Sequence, residues 1–533
     1  MINKIGVEDI TGRKNSTLAR QKQEGIQTNP SFKGAGALIL AGFQKCEQSP
    51  MINVAVIDML SAILPRTIVE SMTNMFAGFE AFRRESSGLI VNCLIPSFIT
   101  LGIAKILNPM FMPKGVNMSH SWSDRDLIQK TAEIYDNTTA KDKVEESIKT
   151  LITGTQGIDG DKSVKFNTAL SKEEIENYSK KLAQISRKKI KNYEMRKEVG
   201  KISKEIVSKT HVSENIKVDK LDVSSVDNML KDTVKFFREF EKADGKVSMA
   251  EFAKKNKNLV RTKSILGLAV VLPLAASMQY INRWITGKIS GTKGAPIYDD
   301  FGKGQNIEEK PEAKKGLLRQ KLISISSMLG VSLLSLTKMP TWKMLDFKGM
   351  FPTMDQARII STTTFASRMA AADDKNELAE ATVRDIATFS SLYYLGDVAA
   401  KGAATIIQKK TGVTLLNDMK TLEKGAGAWK KFKHWMKDVN VKSSSEVIGK
   451  KAINYRSACQ ATNLGVSLAL LGLVIPIFTR RNTKRKHEQA LKLAQENKTA
   501  QTENKKQEPA VTPLNVEYTK LTAGFRADNK KTA

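Results

Sequence analysis

The stretch NLGVSLALLGLVIPIFTRRNTKRK, residues 463–486, is an apolar run that ends abruptly in Arg480, Arg481, Lys484, Arg485 and Lys486. A core helix of a soluble protein keeps a polar stripe toward water, yet from Leu464 to Phe478 only Ser467 and the glycines interrupt the apolar side chains. With its lead-in the run covers about 459–479, which matches the ~20 residues that cross a ~30 Å hydrocarbon layer. Pro476 suits a bilayer helix, where its freed carbonyl is satisfied locally or by a neighbour. Gly465 and Ala469, with Gly472 one turn further, make a small-residue face that lets another helix approach closely. The five cations are placed to contact anionic lipid headgroups. The competing reading is a central helix of a large all-α soluble protein.

Five further stretches extend the pattern. Residues 51–72 are apolar but carry Asp58 and Arg66, whereas residues 88–107 hold a single charge, Lys105, near the end where it can snorkel. Residues 264–285 follow the basic segment KKNKNLVRTK and end with Tyr280 and Trp284, rings that favour a lipid–water boundary. Residues 322–338 are shorter and rich in hydroxyls, and residues 385–408 contain Asp397 and Lys401. The expected fold is therefore mainly α: a polytopic helical membrane protein of four to six spans with a basic soluble helical domain. Its expected parts are a disordered tail (1–33), a first membrane region (34–107), the soluble domain (108–263), a second membrane region (264–480), and a basic helix with a disordered tail (481–533).

The soluble domain changes character completely, with dense Lys and Glu and no long apolar run. Ser171 and Glu174 form a capping-box pattern, and helical spacing continues from there toward Lys209. Lys189, Asn192 and Arg196 fall on the seam of that helix, which argues against a continuous coiled coil because seam charges would be desolvated. The basic flanks at 254–263 and after Thr479 both predict a cytoplasmic location, with three hairpins joining them. That arrangement puts the Lys-rich loop 409–457 outside. If residues 385–408 lie only on the surface, the loop moves to the cytoplasm and the last helix reverses.

A net charge of +30 favours an anionic partner, lipid or nucleic acid. Aromatic residues are only 6% of the chain, and no stretch is read as interleaving them with basic residues as a base-stacking platform requires, so lipid is expected and nucleic acid is not. Cys46, Cys93 and Cys459 are far apart without CxxC spacing, indicating neither a disulfide framework nor a zinc site. The first 25 residues lack the apolar core of a cleavable signal peptide, so an internal segment is expected to direct insertion.

Few motifs carry chemistry. EKADGKVSMAEF, residues 241–252, has the second half of a calcium loop, but Phe240 and Lys242 stand where oxygen ligands are required. GTQGIDGDKS, residues 154–163, has the wrong spacing for a phosphate loop, carries Asp161 and reads as a flexible polar turn. The glycine-rich segment 287–304 reads as a connector, and His120, His211, His434 and His487 are isolated. No GxSxG or HExxH occurs, so no enzyme, cofactor or metal is expected. Asp397 and Lys401, four residues apart, share a helix face as a candidate intramembrane polar pair.

NPSFKG near the start, several apolar helices, INRWITGKISGTKG and DDKNELAEATVRD together resemble uncharacterised bacterial multi-helix membrane proteins. The resemblance implies a membrane protein and no assigned activity, catalytic residue or cofactor. The expected role is a membrane scaffold or partner-binding protein, with residues 108–263 offered to a protein partner, in a bacterial inner membrane with a cytoplasmic C-terminus. The alternatives are a transporter or channel with a polar pathway near Asp397 and Lys401, and a soluble or secreted helical protein that inserts into a target membrane.

Overall fold

The computed structural model describes residues 50–478 except 73–74, 120–124, 291–315, 337–341, 348–350, 374, 421 and 423–424, and beyond them only Gly42, Arg481, Arg485, Gln489 and Lys492. The expected tails and most of the 287–304 connector therefore lie outside the described residues. The chain is mainly helical. Helix α1 runs Pro50–Asp58, through a π turn at Met59–Ile63, to Leu64–Ser71. Helix α2 returns as Met75–Leu89, a π turn at Ile90–Leu94, and Ile95–Phe111. Each π turn is followed within two residues by a proline, Pro65 or Pro96. A proline has no N–H for the i−4 carbonyl and its ring crowds that turn, so a widened turn relieves the misfit.

The domain that follows is not purely helical. Helices α3 (Arg125–Asn137) and α4 (Lys143–Thr153) lead into strands β1 (Thr155–Asp159) and β2 (Lys162–Lys165). Then come α5 (Phe166–Ala169), α6 (Lys172–Arg187), α7 (Asn192–Thr210), β3 (Glu214–Val218), β4 (Leu221–Ser225) and α8 (Val226–Glu241). The strands form one antiparallel sheet in the order β2-β1-β3-β4. The segment read as a flexible turn is thus the β1–β2 hairpin, closed through Gly160 at φ +68°, a conformation glycine adopts without a Cβ clash. The helix begun by the Ser171–Glu174 capping box does not continue to Lys209: it stops at Arg187, and α7 starts anew at Asn192. Breaking there removes the three polar seam residues from a shared buried face.

Helix α9 (Met249–Ser290) is a single helix of 42 residues, about 63 Å long at 1.5 Å per residue. Its first turns place Met249, Phe252, Ala253 and Leu259 in the domain core, which also takes Met112, Val116 and Met118 from the chain after α2. Further along, Leu268, Val271 and Ala275 join a second core with Val91, Phe347 and Ile360. Where α9 crosses α2, a Cβ on Gly267 would lie 2.3 Å from Thr100 Cγ2, so only glycine permits this approach.

The remaining body consists of α10 (Leu317–Ser335), α11 (Met354–Ala371), α12 and α14. Helix α12 runs Lys375–Ser390, a π turn at Ser391–Leu395, and Gly396–Thr411. A small ribbon of β5 (Leu416–Asp418) and β6 (Val439–Val441), with α13 (Ala428–Lys437) between its strands, leads to α14. Helix α14 runs Lys450–Ser467 and a π turn at Leu468–Val474, and remains helical to Phe478. Among the described residues, five helical segments are long and apolar enough to cross a membrane: Met51–Ser71, Met75–Phe111, Met249–Ile289, Leu317–Ser335 and Lys450–Phe478. The sixth expected stretch, 385–408, is not among them; it lies within α12.

Side-chain pairings fix the directions. Gln460 of α14 donates to Asn53 of α1 at 2.7 Å, while Gly472 lies against Pro65 and Ser61, so α1 and α14 run parallel. The β5–β6 loop docks on the domain: Gly160 N donates to Asn417 at 2.9 Å, Lys442 pairs with Asp159, and Glu446 accepts from Ser213 N and Glu214 N at 2.9 and 3.1 Å. The loop and the domain therefore occupy one end of the body, and residue 478 reaches the other. This overturns the three-hairpin arrangement, which put the loop opposite the domain and the C-terminal cations beside it. The sequence reading missed α11 as a lengthwise helix because it is polar.

Within the domain, Lys235 is 2% exposed, and its Nζ makes no hydrogen bond among the described residues. Burial pushes its ammonium down from 10.5 to about 8, against the opposing pull of Asp232 and Glu239. Between those two pH values the unfolded chain holds a proton that the folded chain does not, so folding gains stability as pH rises. Relative to Lys235→Met, the wild-type domain should gain about 1–3 kcal/mol between pH 8 and 10.5 and nothing between pH 6 and 7.5. Thermal unfolding of both proteins across that range is the measurement, and parallel profiles would contradict the desolvated lysine.

Candidate functional site

Helix α11 has the sequence MDQARIISTTTFASRMAA, and twelve of its eighteen residues are buried. It begins at a capping box in which Thr353 Oγ1 accepts from Gln356 N at 3.2 Å and Gln356 Oε1 accepts from Thr353 N at 2.9 Å. Enclosing a polar helix is costly unless neighbouring helices supply partners to its side chains, and here they supply several. Arg358 donates to Asp355 at 2.8 Å and to the Tyr393 carbonyl at 3.2 Å. Ser361 Oγ and Tyr393 Oη lie 2.8 Å apart, Thr362 donates to Ser332 of α10 at 2.7 Å, and Thr364 donates to Asn92 of α2 at 2.8 Å. Tyr393 and Asn92 both sit in π turns, so these widened turns carry polar groups toward α11.

One end of this seam is ionic. Arg368 reaches Glu85 of α2 and Asp385 of α12, each at 3.2 Å. Glu85 also pairs with Arg66 of α1 at 2.8 Å, and Asp385 with Arg384 at 3.0 Å. Each carboxylate, half-buried Glu85 and buried Asp385, thus lies between two guanidinium groups, and the network joins α1, α2, α11 and α12. Nearby, Arg83 donates to Asn282 at 2.9 Å and Thr286 at 2.8 Å, while Arg283 pairs with Asp373 at 2.8 Å and with Glu377. These bonds lash α9 to α2 and to the start of α12. Arg66, one of the charges that interrupts the first apolar stretch, is accounted for by this network; Asp58 is half-buried and makes no hydrogen bond among the described residues.

Asp397 and Lys401 make no ion pair with each other, and each has other partners. Asp397 is exposed and accepts from Asn463 of α14 at 3.1 Å. Lys401 is buried, and its ammonium donates to the carbonyls of Trp435 and Met436 at 3.1 and 3.0 Å. The small-residue face also divides. Gly472 packs against α1, whereas Gly465 and Ala469 are exposed; the π turn at Leu468–Val474, which holds Ala469 and Gly472, shifts the side-chain register there. Of the expected lipid contacts, Arg481 and Arg485 are helical and exposed, and Arg480, Lys484 and Lys486 lie outside the described residues. In the calcium-like stretch, Gly245 has φ +70° and Ser248 Oγ accepts from Glu251 N at 3.3 Å, the features of a turn and a helix cap.

Among the described residues no three His, Cys, Asp or Glu side chains are grouped to hold a metal ion. Comparison with protein-family models, curated proteins and solved structures finds no match. Sequence reasoning missed Glu85, Arg368, Arg384 and Asp385; the available signal was the Thr353–Gln356 capping box, followed by hydroxyl residues too numerous for an ordinary surface helix.

Arg368→Met leaves Glu85 and Asp385 each short of one cation inside the body. The expected cost is about 3–5 kcal/mol, read as a fall in the thermal midpoint of the detergent-solubilised chain, with partial recovery on adding Asp385→Asn. A loss no larger than that of Thr363→Ala, a half-buried position on the same helix, would show that the network does not hold the body together.

Proposed function

We propose that the chain is a multi-pass integral membrane protein that acts as a scaffold, holding its mixed α and β domain in a fixed pose at the bilayer surface for a protein partner. Support for the membrane setting comes from the five apolar helical segments and from the large apolar side chains they expose, among them Phe98, Ile106, Leu334, Ile477 and Phe478. The observation that carries the scaffold reading is α9, which passes without a break from the domain core into the body core. A domain fused to its anchor by continuous helix is held in orientation, as presentation to a partner requires. Basic residues favour the cytoplasmic side for the domain, since loop 409–457 has twelve Lys and Arg against four Asp and Glu. In a bacterial inner membrane the C-terminal end of α14 then faces outward, contrary to the expectation from its own basic cluster.

Alkaline carbonate extraction with cysteine labelling tests this reading. The protein should remain in the pellet, with Ser163→Cys and Ser445→Cys labelled from one side and Met72→Cys from the other. Release into the supernatant removes the membrane assignment and favours the soluble, target-inserting alternative; labelling of Ser445→Cys and Met72→Cys from the same side removes the topology.

A second reading, passage of a proton or small cation along α11, is favoured by one feature: Asp385 Oδ2 is buried without a hydrogen-bond partner among the described residues. It predicts that Asp385→Asn and Asp397→Asn each abolish flux in proteoliposomes at unchanged incorporation. Normal flux in both variants would dismiss it.

A further inference from the structure

Helix α13 has the sequence AWKKFKHWMK, and none of its ten residues is buried. It also corrects the expectation that aromatic and basic residues nowhere interleave. Trp429, Phe432 and Trp435 recur every third residue and stack in series, with ring centroids 5.7 and 6.4 Å apart and planes inclined by 29° and 28°. Trp429 is 73% and Phe432 50% exposed, a large apolar face left open to solvent. Lys430, Lys431, Lys433 and Lys437 are exposed on the remaining surface.

The mounting of α13 is firm at one end. Trp435 Nε1 donates to Thr405 of α12 at 3.1 Å, and Lys401 both bonds the carbonyl end of α13 and stands 5.5 Å from the Trp435 ring centre. His434 is held by Asp418 at 2.9 Å. These contacts set the height of α13 along the body. Asp397 meets Asn463 directly before the apolar run of α14, so that pair marks one edge of the apolar layer. Lys401 and Thr405 lie four and eight residues further toward the domain, about 6–12 Å along the helix. That depth belongs to the headgroup region, where short basic amphipathic helices lie with their aromatic side toward the acyl boundary.

We propose that α13 is an interfacial anchor whose Trp429 and Phe432 enter the anionic headgroup layer of the bilayer around the body, while its lysines meet lipid phosphates. The inference rests on the reading of the body as membrane-spanning. Charge selects the partner, since the loop that bears α13 is strongly basic and each lysine near an anionic surface strengthens attachment about fivefold. Single-stranded nucleic acid is the other partner of basic aromatic surfaces, but the ties of Trp435 to Thr405 and of Lys401 to the end of α13 hold these rings beside the edge of the apolar layer, where lipid headgroups are the neighbour.

The test uses the full chain in nanodiscs of brominated phosphatidylcholine with phosphatidylglycerol, following quenching of tryptophan fluorescence. The expected result is that Trp429→Phe loses part of the quenching, and that changing Lys430, Lys431, Lys433 and Lys437 to Gln reduces the Trp429 contribution, as does omitting phosphatidylglycerol. Trp284, exposed near the opposite end of α9, is the internal reference. If Trp284→Phe loses quenching and Trp429→Phe does not, the anchor is overturned and the membrane reading stands; if neither loses any, both fail. Quenching of Trp429 by a thymidine oligonucleotide and not by bromolipid assigns the surface to nucleic acid and likewise overturns the anchor.

Discussion

The covalent continuity of α9 is the constraint on which the architecture depends. Its early turns are packed by the aromatic cluster of Phe236, Phe240 and Phe252, and its later turns by the apolar residues of α2 and α11. An α-helix resists bending, so neither core can shift without moving the other. Pro273 lies within α9, beyond the domain, and the helix continues through it. The glycine crossing at Gly267 and the ties from Asn282 and Arg283 then fix α9 against α2 and α12. The docked β5–β6 loop adds a second connection between domain and body, so that the domain is held at two places.

The body solves a different problem. A helix with two arginines and a row of hydroxyl residues is costly to enclose, and its cost is offset by pairing each charge and bonding the hydroxyl groups to neighbours or to the preceding turn. Apolar helices alone would slide and rotate against one another with little penalty. Paired charges and specific hydroxyl bonds restrict which faces can meet. The π turns contribute to this specificity because each shifts the side-chain register within an otherwise regular helix.

Much of this was legible in the sequence where the solvent preference of a segment is uniform. The runs at 88–107, 264–285 and 459–479 are apolar on nearly all sides, and their described residues fall within long apolar helices. The Ser171 capping box was equally readable because it is a local hydrogen-bond pattern. What stayed hidden depends on partners distant in sequence. Arg368 finds Glu85 across 283 residues, and no periodicity within α11 announces that encounter. The β1–β2 hairpin was missed because two strands of five and four residues offer too short an alternation to outweigh the surrounding helical pattern. Direction was misread because basic clusters flank both ends of the body, so charge alone gave two incompatible answers. For Asp397 and Lys401, spacing correctly put both on α12, but spacing says nothing about which neighbour each side chain turns toward.

The parallel alignment of α1 and α14 has a mechanical consequence. Both helices begin at the domain end, and they touch at Asn53–Gln460 and again where Gly472 meets Ser61 and Pro65. A load pulling the first helix back past residue 50 and the last one forward past residue 478 draws them in opposite directions along a shared seam. Such a load acts in shear, so the contacts along the seam yield together instead of opening one after another.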